Sequence, residues 1–363
     1  MPANDEDISC QKGLLSHSYG KRSPVAQLPS VVHGHTSVEE VQAILGEQGL
    51  CVFKGVASPG DLACGEALFW DFMEQQEPGI CRSDPTSLTH ERWRRFASSE
   101  TTFRTGLISQ LGIGQSEFMW HARSLVRDVF ATAWGVPAEE LVTGFDSCAA
   151  TRNLWALAEE EPEAWSYNGL GKGKSWFHVD QNWHNHSGLS TYQGLLNYFP
   201  STAVTGGTVV VPGSHKKFAQ IWDTNTGEPE REQSEDFVML DREGDFERFC
   251  SPSCQVELEP GDVLLWDSRT VHCNQAIDPS APRPAAASPL LRLAAFVCML
   301  PRSRLEAGGP ALAAKRRDYV QGGHTGPHHP VALDDLVPSF WGFNRSQVPY
   351  VPPAPSDSLW QMV

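Results

Sequence analysis

The pattern of hydrophobic and polar positions divides the chain into a helical first part and a strand-rich second part. Residues 116–135 repeat apolar side chains at three- and four-residue steps, which predicts an amphipathic helix. Two shorter helices are predicted over residues 36–49 and 58–74, the second capped by Ser58, with a compact strand over residues 50–56 between them. The first part of the chain should therefore supply helices that pack against another layer.

From residue 141 onward, short apolar runs are separated by Gly, Pro, Asn and Asp. Such runs without helices between them predict an all-β sandwich or barrel, here a double-stranded β-helix of the jelly-roll type. The expected fold class is mainly β with flanking helices, a cupin-like jelly roll. The runs cover residues 141–152, 175–180, 192–199, 206–215, 237–240, 254–268 and 292–300.

One domain is expected over residues 31–363. The polar, unpatterned residues 1–30 before it predict a mobile tail. Within the domain, residues 31–140 would form a mainly helical support and lid, and residues 141–300 the jelly-roll core. Residues 301–363 would form a C-terminal segment that covers the core.

The charge and composition of the chain limit the classes of partner that it is expected to bind. The chain has 44 acidic residues against 28 Lys and Arg, a formal net charge of −16, which repels phosphate backbones and predicts no nucleic-acid partner. The one dense basic cluster, residues 91–96, is interpreted as a solvated helix face. The N-terminal residues lack the apolar stretch of a signal peptide, and no run reaches the ~18 apolar residues of a membrane span, so we expect a cytoplasmic protein.

The nine cysteines show no C-x-x-C spacing and are expected to be reduced thiols. The oligomeric state stays open at this stage.

The segment "SWFHVD" ends a predicted strand and carries two metal-binding side chains. Residues two apart on a strand point to the same face, so His178 and Asp180 project together. A jelly roll can bring a third ligand from a distant strand, and His272 in "PGDVLLWDSRTVHCN" is the candidate. Two histidines and one carboxylate are the ligand set of non-haem Fe(II) oxygenases, whereas catalytic zinc favours a tetrahedral site.

Two neighbouring motifs are weaker candidates. His184 and His186 form an H-x-H pair, but the glutamate that a germin-like site needs is missing, so both are interpreted as loop residues near the pocket mouth. "GKGKS" resembles part of a phosphate-binding loop, yet Asn168 stands where its first glycine would be, and a strand rather than a helix follows. We therefore predict no phosphate site there.

Five motifs resemble, in order, the phytanoyl-CoA dioxygenase (PhyH) family, across about residues 140–300. They are "HVDQN", "YQGLLNYF", "TGGTVVVPGSHKKF", "PGDVLLWDSRTVHCN" and "LRLAAFVCML". The members of this family are Fe(II)- and 2-oxoglutarate-dependent oxygenases on a double-stranded β-helix. The resemblance implies that His178, Asp180 and His272 are the catalytic iron ligands.

The same resemblance implies roles for further residues. Arg292 matches the arginine that pairs with the distal carboxylate of 2-oxoglutarate, and Asn274 stands where some members place a cosubstrate-binding serine. Residues 206–207 and 212–214 match a structural turn, and His215 is expected to be structural. Arg283, in a Pro- and Ala-rich stretch, is the rival of Arg292 because the gap from His272 to Arg292 is unusually long.

The expected function is a dioxygenase that hydroxylates a small organic molecule, uses O2 and releases succinate and CO2. A catalytically silent jelly roll that binds a ligand or metal remains an alternative, as does a metal-dependent hydrolase or isomerase. The histidine-containing segment 321–330, with His324, His328 and His329, is expected either to cover the barrel or to form a wall of the substrate pocket.

Overall fold

The computed structural model describes most of the chain, with gaps that include residues 1–22, 156–175 and 334–347. The predictions for His184, His186, Arg283, "GKGKS" and most of the Pro/Ala stretch lie outside the described residues. The described residues are 23–99, 102–103, 106–153, 155, 176–181, 187–225, 238–240, 244–275, 288–305, 308–331, 333, 348–353 and 358–363.

The strands of the described chain form two sheets that face each other. The smaller sheet has the order β1-β11-β9-β13-β7-β10, and the larger has the order β2-β3-β12-β8-β14-β6-β4 with β5 paired to β14. The strands are β1 Val25–Ala26, β2 Ser30–Val32, β3 Leu50–Lys54, β4 Leu107–Ile108, β5 Leu141–Thr143, β6 Cys148–Arg152, β7 His178–Val179, β8 Tyr192–Asn197, β9 Gly207–Val210, β10 Val238–Met239, β11 Cys254–Val256, β12 Val263–Asp267, β13 His272–Gln275 and β14 Leu290–Pro301.

The α-helices of the described residues flank these sheets. Local capping chemistry sets their ends: Ser58 and Asp61 form a capping box before Pro59, and Gly135, at φ 67°, ends the helix that begins at Glu117. They are α1 Val38–Gln48, α2 Pro59–Gln76, α3 His90–Arg94, α4 Glu117–Trp134, α5 Phe218–Asn225, α6 Arg302–Leu305 and α7 Gly309–Gln321.

Apolar side chains from both sheets meet between them. Leu195 and Leu264 from the larger sheet share one cluster with Val210 and Val256 from the smaller sheet. Helix α4 buries Phe118, Ala122 and Val129 in a second, larger core that also takes in the outer side of the larger sheet. The prediction of a mainly β jelly roll with flanking helices is therefore confirmed.

The structure corrects the N-terminal boundary. Residues 1–30 were expected to be a tail, but β1 pairs in parallel with β11, and β2 pairs with β3 from Ser30 onward. Strands this short show no periodic pattern, so the sequence could not reveal them. In the basic cluster, Arg95 pairs with Glu77 on the surface while Trp93 and Phe96 are buried, in keeping with the predicted helix face.

None of the helices in the described part of the chain is both long enough and apolar enough to span a bilayer.

Candidate metal centre and cosubstrate pocket

Two neighbouring strands of the smaller sheet place the predicted metal ligands side by side. In the antiparallel pair β7–β13, His178 lies directly opposite His272, and Asp180 follows β7 by one residue. The distance from His272 Nε2 to Asp180 Oδ2 is 3.2 Å, and that from His178 Nε2 to Asp180 Oδ1 is 3.6 Å. One ligand atom from each residue lies within 4.8 Å of the others, so the three could hold one metal ion.

Backbone carbonyl groups fix the orientation of both imidazoles. His178 Nδ1 lies 2.8 Å from the Trp176 carbonyl oxygen, and His272 Nδ1 lies 2.9 Å from that of Thr270. A carbonyl oxygen can only accept, so each Nδ1 carries the hydrogen. Each Nε2 then keeps its lone pair, and a metal-binding imidazole is oriented in this way.

The charge states of the ligands suit a cation. Burial lowers the pKa of His178 to about 4, so its imidazole is neutral at neutral pH. Burial by itself would raise the pKa of Asp180, but His178, His328 and His272 around it hold that pKa well below its usual range. The site therefore offers two neutral nitrogens and one carboxylate.

Gln193, on β8 of the opposite sheet, orients the carboxylate. Its Nε2 donates to Asp180 Oδ2 at 2.9 Å. Hydrogen bonds from a second layer of residues commonly fix metal-binding carboxylates in this way. The sequence did not single out Gln193, although it stands in the quoted motif "YQGLLNYF".

A buried guanidinium from the larger sheet approaches β9 and β13 of the smaller sheet. Arg292, on β14, is 5% exposed, and its Nη2 donates to Thr208 Oγ1 at 3.1 Å and to Asn274 Oδ1 at 3.2 Å. Asn274 follows His272 by two residues on β13 and lies opposite Thr208 of β9. The side chains of His272, Asn274 and Thr208 therefore lie on one face of the smaller sheet. Among the described residues, no carboxylate lies within 4 Å of Arg292.

That buried cation is the feature that best fits a dicarboxylate. Burial lowers the pKa of Arg292 to about 10, which still leaves the group charged at neutral pH. A buried charge without a partner of opposite sign is costly, and a ligand carboxylate would remove that cost. Thr208 was not predicted; only the strand register reveals it.

The triad lines one cavity of about 120 Å³ together with Thr208 and Asn274, the two residues that hold Arg292. Trp176 stacks on His178 with ring centroids 4.9 Å apart, and Trp266 and Phe296 supply further aromatic wall. His328 of segment 321–330 lines the same cavity, and His329 Nε2 lies 2.6 Å from Ser190 Oγ. Of the two interpretations of that segment, the pocket wall is the one that the position of His328 supports.

The turn residues have structural contacts. Gly213 adopts φ 76°, and its N–H donates to the Gln48 carbonyl at 2.7 Å. His215 is buried and its Nε2 lies 3.1 Å from the Gly46 carbonyl oxygen, away from the triad, as expected for a structural histidine.

Comparison with known proteins found a matching family model and a similar protein. The family model "Phytanoyl-CoA dioxygenase (PhyH)" matches residues 165–285. The "Ava biosynthesis cluster protein O" of Aspergillus versicolor is 29% identical over 246 residues, which are 64% of this chain and 68% of that protein.

Solved structures also show similarity to the chain. The non-haem alpha-ketoglutarate-dependent carbocyclase SnoK from nogalamycin biosynthesis is 16% identical, with a TM-score of 0.42, over 73% of this chain and 86% of that chain. EctD from S. alaskensis with bound Fe is 14% identical, with a TM-score of 0.42, over 79% of this chain and 87% of that chain. Both TM-scores are below 0.5, so no conclusion rests on these two structures.

The donor set and the matched family agree with the predicted cofactors, iron(II) and 2-oxoglutarate. Arg292 lies outside the matched range, whereas all three triad residues lie inside it. Residues 165–285 are therefore similar to the phytanoyl-CoA dioxygenase family, in agreement with the resemblance of the sequence motifs.

Proposed function

We propose that this protein is an Fe(II)- and 2-oxoglutarate-dependent dioxygenase that hydroxylates a small organic molecule and releases succinate and CO2. One observation carries the proposal: His178, Asp180 and His272 open onto the same cavity as Asn274 and Thr208, which hold the buried Arg292. The relative from a biosynthesis cluster supports a small molecule as the substrate.

In this proposal, His178, Asp180 and His272 hold the metal through two Nε2 atoms and a carboxylate oxygen. When bound, iron(II) and 2-oxoglutarate together supply the activation of O2 that protein side chains lack. The protein provides position: the backbone carbonyl groups of Trp176 and Thr270 fix the two imidazole rings, and the side chain of Gln193 fixes the carboxylate.

Arg292 is assigned to the distal carboxylate of 2-oxoglutarate. A guanidinium can meet a carboxylate with two parallel hydrogen bonds, and Thr208 and Asn274 hold this one in a single orientation. Asn274 follows His272 by two residues on β13, which corresponds to a distance of about 6–7 Å along the strand. A five-carbon dicarboxylate can bridge this distance between the metal ligands and the residues that hold Arg292.

The cavity walls have a protective role. Trp176, Trp266 and Phe296 limit the access of water to the metal side of the pocket. Excluding water strengthens the ionic contacts inside the site and protects a reactive centre from side reactions.

The test uses the purified protein without O2. Addition of Fe(II) and 2-oxoglutarate should produce a weak visible charge-transfer band, and admission of O2 should then yield succinate. His272→Ala should lose both signals while keeping its thermal transition. Turnover with Zn(II) that needs no O2 would instead support a hydrolase or isomerase, and a folded protein without band or turnover would support a binding protein.

That the chain forms one domain, now beginning before residue 31, and that it is cytoplasmic stay predictions. A metabolite screen for substrate-stimulated succinate formation would identify the primary substrate and decide between hydroxylation and another oxidation.

A further inference from the structure

The cavity contains a second carboxylate that the proposed metal and cosubstrate sites do not use. Asp146 lies between β5 and β6 and lines the same cavity as the triad. Its Oδ1 accepts two hydrogen bonds from Ser147, one from the backbone N–H at 2.6 Å and one from Oγ at 3.0 Å. Within the described residues nothing donates to Oδ2, although this oxygen is not enclosed by protein atoms. Oδ2 is therefore exposed to the cavity.

The groups around Asp146 leave its charge without a direct partner. Arg123 is fully buried behind it, but the guanidinium contacts the Asp146 carbonyl oxygen, at 3.4 Å, and stacks 4.7 Å from the Trp120 ring. No described cation forms an ion pair within 4 Å of the carboxylate. Burial raises the pKa of the Asp146 carboxyl above its usual value, and the neighbouring Asp180 adds to this, whereas His328 on the cavity side and the hydrogen bonds from Ser147 act in the opposite direction.

The same carboxylate stands out when the charges of the site are paired with metal and 2-oxoglutarate bound. A divalent metal and a doubly charged dicarboxylate cancel each other, as do Arg292 and Asp180. The carboxylate of Asp146 then remains without a cation in contact with it, both in the loaded and in the unloaded pocket, because Arg123 interacts with that charge only from a distance. A carboxylate that is partly shielded from water needs a cation, a proton or enough donors to compensate its charge, and Ser147 serves just one of the two oxygens of Asp146.

We propose that Asp146 recognises the primary substrate and that this substrate carries a basic nitrogen, protonated at neutral pH, that binds Asp146 Oδ2. This inference rests on the proposed function, because it assigns the remaining part of the cavity to the substrate. A neutral hydroxyl group would be served as well by an uncharged acceptor, whereas a carboxylate is the specific complement of a cation.

Two further features favour such a substrate. Trp176, Trp266 and Phe296 in the cavity wall can accept both the apolar body of the molecule and, over their ring faces, a cationic group. The formal net charge of −16 attracts cations to the protein and repels anions.

The test compares two small probes of matched shape, benzylamine and benzyl alcohol, by isothermal titration calorimetry at pH 7. The protein is free of metal and 2-oxoglutarate, so the result does not depend on turnover. Because a hydrogen bond to a charged group is considerably stronger than a neutral one, benzylamine should bind about tenfold or more tightly than benzyl alcohol. Asp146→Asn, which keeps the Oδ1 acceptor for Ser147, should reduce this preference below about threefold.

Asp128→Asn is the matched control, since Asp128 is exposed on α4, and it should keep the wild-type preference. Asp146→Ser serves as a second variant if Asp146→Asn does not fold. Equal affinities in the wild-type protein, or no binding of benzylamine, would overturn the proposal whatever the variants do. A protein that prefers the amine but shows no charge-transfer band with Fe(II) and 2-oxoglutarate would refute the proposed function and leave the cation site standing.

Discussion

Replacing Arg292 by alanine removes the only buried cation that the described structure places among the cosubstrate residues. The side chain is 5% exposed and is held by Thr208 and Asn274 at 3.1 and 3.2 Å. In the proposed complex it meets the distal carboxylate of 2-oxoglutarate away from water. Arg292→Ala would therefore leave that carboxylate buried without its cation, while the metal ligands keep their positions.

The magnitude follows from this burial. Removing one partner of a buried, hydrogen-bonded charge pair costs about 2–5 kcal/mol. At about 1.4 kcal/mol per factor of ten, even the lower bound weakens 2-oxoglutarate binding by roughly thirty-fold. Arg292→Lys keeps the charge but cannot form two parallel hydrogen bonds, so its affinity should lie between those of the wild-type protein and the alanine variant.

The assay is a titration of 2-oxoglutarate against the Fe(II) protein without O2, followed by the charge-transfer band. Thermal denaturation gives a second measurement, because a ligand that binds only the folded state increases the free energy of unfolding by RT ln(1 + [L]/Kd) and so raises the transition temperature. Saturating 2-oxoglutarate should stabilise the wild-type protein clearly more than Arg292→Ala at the same concentration.

Arg283→Ala is the informative control, since Arg283 is the rival candidate in the sequence. The Pro- and Ala-rich sequence around Arg283 predicts a solvent-screened charge, so Arg283→Ala should change 2-oxoglutarate affinity by less than about threefold. The opposite order, with a large loss for Arg283→Ala and a small one for Arg292→Ala, would refute the assignment of Arg292.

Three further predictions concern the metal side of the cavity. Gln193→Ala should weaken Mn(II) binding about ten- to a hundredfold in calorimetry, because Asp180 loses its orienting donor. Gln42→Ala, on the exposed face of α1, is the control and should not weaken it. If Gln193→Ala binds Mn(II) as tightly as the wild-type protein, Gln193 does not belong to the site. Burial lowers the folded-state pKa of His178 from 6.5 to about 4, so the unfolded chain takes up this proton at a higher pH than the folded protein does. The urea concentration at the unfolding midpoint of the metal-free protein should therefore decrease as the pH is lowered from 6.5 towards 4. This decrease should be smaller in His178→Gln. Because the carboxylate of Asp180 occupies the third ligand position and leaves no place there for chloride, mass spectrometry of products formed in chloride buffer should show oxidised but no chlorinated species.

Local patterns were sufficient to predict several elements of the fold. The three- and four-residue steps of residues 116–135 predicted α4, and Ser58 before Pro59 predicted the start of α2. These signals are local: a helix face and a cap depend on neighbours within one or two turns. The alternation around His178 and Asp180 likewise placed two ligands on one face.

Contacts between distant strands were beyond such patterns. His272 was expected to follow a strand, but it begins β13, and this strand places it opposite His178. Thr208 and Gln193 reach the site only through the pairing of β9 with β13 and through the approach of the two sheets. A single sequence contains no register information for such pairs, so the second layer of the site appears only in three dimensions.

Residues outside the matched range 165–285 line part of the cavity, and this limits what relatives can reveal about the proposed substrate. Asp146 precedes the matched residues 165–285, and His328 follows them. Arg316, fully buried in α7, connects the two, because its guanidinium donates to the carbonyl oxygens of Pro330 and Thr143 and so holds both the segment that contains His328 and the strand that leads to Asp146. A relative can therefore share the triad completely and still present a different wall to its substrate, so substrate identity must be inferred from the side chains of these flanking segments.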